Sequence, residues 1–129
     1  MILGIGTDIV NVDRIARLIE RFGDRFLNRI FTDHELLKAY SNQAHYVSIL
    51  AKRFAAKEAV SKALGTGFRN GLRFKDIEVV SNALGRPEIC LHGQAKICAT
   101  ALANGEVFKA HLSLSDDYPF AQAFVVIEG

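Results

Sequence analysis

The middle of this chain reads as one long helix, about Ala44 to Leu64, with an acid on its apolar face. Successive helical residues turn by about 100°. On that wheel Val47, Leu50, Ala51, Phe54 and Ala55 share one face, and Glu58 falls in the middle of it. Lys62 lies one turn further on, with Ser61 close by. A carboxylate buried without a partner is costly, so it must be protonated, paired or bound to a metal. The plain alternative is a surface Glu58–Lys62 ion pair at i, i+4, which needs no function. The helix runs into Gly65-Thr66-Gly67-Phe68-Arg69-Asn70-Gly71, three glycines within seven residues. Such a loop can bring backbone N–H groups to a phosphate, and a glycine cap with a tight turn explains it equally well. The spacing is not that of a P-loop.

The chain has 129 residues, 50% of them apolar and 23% charged, enough for a single domain over residues 1–129 with one core. That composition is neither disordered nor membranous. The longest uncharged apolar run, at the N-terminus, is broken by Asp8, so no membrane span is expected. The same stretch lacks the basic and long apolar parts of a signal peptide. Cys90 and Cys98 form no C-x-x-C motif and imply no disulfide framework, which predicts free thiols in a reducing cytoplasm. A net charge of +2 does not by itself indicate nucleic acid.

Ile2 to Val10 reads as a strand. Leu3, Ile5, Thr7 and Ile9 point one way, and Ile2, Gly4, Gly6 and Asp8 the other. Glycine inside a strand marks close approach of a ligand or another backbone, so Asp8 is a second acid on a cleared face. Helix-capping duty is its competing role, because a helix from about Val12 to Phe22 opens right after it and stops at Gly23. Arg14, Arg17 and Arg21 lie at helical spacing along that helix's exposed side, a solvated face or a docking surface for an acidic partner. Arg25 to Phe31 reads as a connecting segment. Thr32-Asp33-His34-Glu35 has the form of a capping box and starts a helix to about Tyr40.

Beyond the glycine loop, Asp76–Ser81 and Glu88–Leu91 read as a hairpin with Arg86 exposed at its turn. Gln94–Ala103 reads as a helix. In Val107–Ser115, Phe108, Ala110, Leu112 and Leu114 face a core while Lys109, His111, Ser113 and Ser115 face away. Phe120–Glu128 is the last strand. This order predicts an α+β fold: a small, mostly antiparallel sheet packed on the long helix.

Asp8, Glu58, Lys62 and His111 together suit one kind of chemistry. Two carboxylates without a histidine or cysteine cluster favour a hard cation, Mg²⁺ or Mn²⁺. Lys62 beside it adds charge for phosphate oxygens. Transfer of a phosphorylated group depends mainly on such positioning and neutralisation.

The chain resembles the small bacterial 4′-phosphopantetheinyl transferases, the holo-acyl-carrier-protein synthases. The resemblance rests on Gly4-Ile5-Gly6-Thr7-Asp8-Ile9-Val10, on Phe54-Ala55-Ala56-Lys57-Glu58-Ala59 through Lys62-Ala63-Leu64-Gly65, on Gly85-Arg86-Pro87 and on His111-Leu112-Ser113-Leu114-Ser115-Asp116. It covers nearly the whole chain, and no motif position departs from the pattern. It implies transfer of 4′-phosphopantetheine from coenzyme A to a serine of apo acyl carrier protein, with release of adenosine 3′,5′-bisphosphate, for fatty acid biosynthesis. By match, Asp8 and Glu58 hold Mg²⁺, Lys62 contacts phosphate, and Gly65, Arg86, Pro87, His111 and Ser113 line the coenzyme A site. The serine's proton passes to Glu58 or to a metal-bound water. Arg14 and Arg21 face the acidic helix of the carrier. The resemblance also implies a homotrimer with a site at each subunit interface, Asp8 and Glu58 coming from one subunit and His111 from its neighbour.

Two rival readings use the same residues. A phosphohydrolase would employ the acids with water as nucleophile. A basic binding module would use the arginine stripe, but leaves Glu58 unexplained and lacks an RNA-binding signature, so neither nucleic acid nor membrane is expected as a partner.

Overall fold

The computed structural model describes residues 1–129. Its elements run β1 (Ile2–Asn11), α1 (Val12–Phe22), α2 (Asp24–Ile30), α3 (Asp33–Tyr40), α4 (Tyr46–Ala63), β2 (Ile77–Ser81), β3 (Pro87–Leu91), α5 (Gly93–Leu102), β4 (Lys109–Asp117) and β5 (Phe120–Glu128). The expected α+β architecture holds, with the strands divided between two antiparallel sheets. One has the order β1-β5-β4, and the other is the β2–β3 hairpin. The long helix begins at Tyr46 rather than Ala44, because Gln43–His45 is a 3-10 turn. The segment Arg25 to Phe31 is not a mere connection: α2 starts just after Gly23, whose φ of 56° ends α1, and it buries Leu27 and Ile30. Thr32 and Glu35 form the capping box expected of them.

Helix α4 is the centre of the molecule. The three-stranded sheet covers one side, while α1, α3 and the hairpin cover others. One continuous core of 27 buried residues therefore runs along it. The approach of the sheet depends on small residues. Gly4 and Gly6 meet Ala63 and Ala59 of the helix, and β5 buries the small Ala121 and Ala123. A Cβ on Gly4 would lie 2.0 Å from the Ala63 carbonyl oxygen, and one on Gly6 would lie 1.8 Å from that of Ala59. The strand glycines thus serve close approach of another backbone, and they bring Asp8 against the last turns of α4.

A helix enclosed on most sides buries charge as well. Lys57 is fully buried and pairs with the fully buried Glu35 at 2.8 Å. Its ammonium also donates to the carbonyl oxygens of Phe74, at 3.1 Å, and Ile77. Glu35 accepts in addition from the backbone N–H groups of Thr32 and Val79, both at 2.9 Å. Burial pushes the Lys57 ammonium down, and the Glu35 carboxylate opposes that shift. The pair fastens α3, α4 and β2 to one another with the polar atoms satisfied, which is what a buried ion pair requires.

Candidate active site

Asp8 stands on the inner face of β1 and is not a helix cap. That duty falls to Asn11, whose Oδ1 accepts from the N–H groups of Asp13 at 2.8 Å and Arg14 at 3.3 Å. The Asp8 carboxylate instead accepts from Lys62 Nζ at 3.1 Å, and the Thr7 carbonyl accepts from the same ammonium at 2.9 Å. Lys62 therefore pairs across elements with Asp8 rather than along its helix with Glu58. Glu58 is half-buried. Burial first, and then the Asp8 charge, push its carboxyl up, while Lys62 and Arg14 act in the opposite direction. The candidate ligand atoms here are all oxygen: two carboxylates and a main-chain carbonyl. That set fits a hard divalent cation.

The second group of expected residues lies elsewhere in the chain. Arg86 is exposed at the hairpin turn, which is closed by Asn82 Oδ1 accepting from the N–H groups of Leu84 and Arg86. Arg86, Pro87, Lys96 and His111 line a cleft of about 590 Å³ between the hairpin and β4. His111 pairs in register with Val126 and Ser113 with Phe124, opposite Ile5 and Thr7 of β1. Both therefore occupy the outer face of the sheet, whereas Asp8 shares the inner face with Ala123 and Leu114. Strands β1 and β4 are also opposite edges, separated by β5. His111 Nε2 lies 3.0 Å from Glu128 Oε1 on its own chain. Gly65, with a φ of 80°, follows the end of α4 and donates its N–H to the Lys62 carbonyl, so the cap reading accounts for its conformation.

On α1, Arg14, Arg17 and Arg21 are exposed, and together with Leu18 and Glu20 they border a shallow groove. Arg14 is near enough to Glu58 to draw its carboxyl down, so the stripe begins at the edge of the acid pair.

Arg53 escaped the sequence reading. It is 6% exposed, makes no ion pair, and its Nε is buried without a hydrogen-bond partner. Its side chain opens on a cleft of about 360 Å³ shared with His34, Leu37, Lys38 and Ser81. With His34 and Lys38 beside it, and only the Glu35 carboxylate, already paired with Lys57, acting on it, this guanidinium is complementary to an anion. The available signal was its position one turn before Lys57, on the same side of α4.

Residues 4–123 match the model of the 4′-phosphopantetheinyl transferase superfamily. The chain belongs to that superfamily, and within it to the holo-[acyl-carrier-protein] synthases. It is 50% identical to the synthase of Erythrobacter litoralis over 129 residues, 99% of this chain and 97% of the relative. The crystal structure of the Neisseria meningitidis synthase superposes with a TM-score of 0.86 at 45% identity, over all of both chains. That of the Bacillus anthracis synthase, in complex with CoA (3′,5′-ADP), gives 0.80 at 36% identity over 100% of this chain and 98% of the other.

Proposed function

We propose that this chain transfers 4′-phosphopantetheine from coenzyme A to a serine of an acyl carrier protein, at a site shared between copies of the chain. The observation that carries the shared site is the division of its residues. Asp8, Glu58 and Lys62 gather where β1 meets α4, while His111 and Ser113 lie on the other face, with His111 at the opposite edge of the same sheet. Placement on opposite faces of one sheet favours a ligand held between two copies of the chain. A head-to-tail ring holds it so, because each copy offers one group to each neighbour. The outer sheet face has the apolar surface for it: Ile5, Ile9, Phe120 and Phe124 are 58%, 62%, 48% and 46% exposed. A homotrimer closes that ring.

Asp8 and Glu58 hold Mg²⁺, or Mn²⁺ in its place, which when bound neutralises the coenzyme A pyrophosphate. Lys62 contacts the phosphate oxygens. Gly65 stands on the same side, and the neighbour contributes Arg86, Pro87, His111 and Ser113. His34, Lys38, Arg53 and Ser81 form a pocket suited to one further phosphate group of coenzyme A. The carrier serine Oγ bonds to the β-phosphorus, and the bond from that phosphorus to the adenosine 3′,5′-bisphosphate oxygen breaks. Lys62 stabilises charge on the leaving oxygen. Glu58, half-buried beside Asp8, takes the hydroxyl proton. Arg14 and Arg21 receive the acidic helix of the carrier and speed encounter. Free Cys90 and Cys98 accord with the reducing cytoplasm, where coenzyme A and carriers for fatty acid synthesis meet. No helix is long and apolar enough to cross a membrane.

The test is the intact mass of apo acyl carrier protein after incubation with this protein, coenzyme A and Mg²⁺. A gain of one phosphopantetheine arm is expected, lost with EDTA and restored by excess Mg²⁺. Hydrolysed coenzyme A with an unmodified carrier would make the protein a phosphohydrolase instead.

A further inference from the structure

The β2–β3 hairpin carries a second set of metal-type donors that the transfer reaction does not use. Glu78 pairs directly with Cys90 across the hairpin ladder. His92 follows two residues after Cys90 and so emerges on the same side of the strand. One ligand atom from each of the three lies within 4.8 Å of the others. The carboxylate is already oriented: Thr32 Oγ1 donates to one oxygen at 2.6 Å, and His92 Nε2 lies 3.1 Å from the other. The Cys90 thiol is free.

We propose that Glu78, Cys90 and His92 bind a thiophilic divalent cation of the zinc type, with one coordination position left open. A thiolate, an imidazole and a carboxylate form a borderline-soft set, unlike the all-oxygen set at Asp8 and Glu58. Zinc bonds of about 2.0–2.3 Å place tetrahedral ligand atoms about 3.3–3.8 Å apart, so small rotamer adjustments close the site. Thr32 supplies the outer hydrogen bond that keeps a ligating carboxylate in place. Its backbone N–H in turn donates to Glu35, the partner of Lys57, so the support reaches the core. The bound ion joins β2, β3 and the start of α5, and thereby stiffens the hairpin that presents Arg86 and Pro87.

The experiment follows alkylation of the two cysteines by peptide mass spectrometry, in the full chain with saturating Mg²⁺ to occupy the oxygen site. Zn²⁺ should slow Cys90 by at least about tenfold and leave Cys98, the internal control, unchanged. His92→Ala and Glu78→Gln should each weaken that protection by at least about tenfold. Co²⁺ in the unaltered protein should give a thiolate-to-cobalt charge-transfer band, which needs no variant to fold. Equal Cys90 rates with and without Zn²⁺, or protection unchanged in both variants, would overturn the site.

Discussion

Lys57 and Glu58 are neighbours on α4 with opposite roles. Lys57 points into the core and is fully paired, whereas Glu58 is half-exposed beside Asp8 and has no salt-bridge partner. Lys57→Met leaves Glu35 buried and uncompensated, so urea unfolding should report a loss of about 3–5 kcal/mol. Adding Glu35→Leu should recover only the part due to the uncompensated charge, because the Thr32 and Val79 N–H groups and the Phe74 and Ile77 carbonyls remain without these partners. Glu58→Gln removes a like-charge contact and no ion pair. Its melting temperature should hold, while transfer falls by at least about a hundredfold, the order expected when a key charge-stabilising group is lost. Wild-type turnover in Glu58→Gln would remove the acid pair from the chemistry. The sequence made Glu58 conspicuous as an acid among apolar residues, but it did not distinguish Lys57 as the deeper charge. Periodicity separates a buried face from a wet one, and α4 has almost no wet face. Nor could it reveal Arg53 as unpaired, because that depends on what α3 and β2 place around it.

The elements were far more legible. Caps and turns are local, so Gly23 marks the end of α1, and Thr32 with Glu35 the start of α3, in the sequence as they do in the fold. Strand alternation likewise gave the two faces of β4 correctly. What local patterns leave out is pairing partners, which is why the hairpin's separation from the main sheet emerges only in three dimensions. The glycines of β1 illustrate the same limit. Gly4 and Gly6 announced a close approach, but only the packing reveals that the approaching group is α4. At this scale α1 carries its own prediction. Arg21→Glu reverses a charge on the exposed stripe, further along α1 than Arg14, the stripe residue that acts on Glu58. It should raise KM for the carrier by about tenfold, roughly the effect of losing one exposed contact plus the added repulsion, and leave KM for coenzyme A unchanged. The carrier effect should shrink as salt rises. Equal effects on both substrates would remove the docking role.

At the scale of the whole molecule, Asp8 and His111 stand on opposite faces of one sheet, and the proposed site needs both. No pattern within 129 residues states how copies meet, and the expectation of shared sites came from resemblance alone. The sheet now gives it a physical basis, since register fixes which face every side of β1, β5 and β4 presents. The most direct test mixes two inactive variants, Glu58→Gln and His111→Ala, after dissociation and reassembly, and reads activity as the mass gain of apo carrier. If each site takes Glu58 from one copy and His111 from the next, random mixing in equal amounts leaves roughly a quarter of the interfaces with both residues intact. Activity should return to about that fraction of the unaltered protein. If each chain builds its own site, every site carries a defect and the mixture stays as inactive as its parts, which would contradict the shared site.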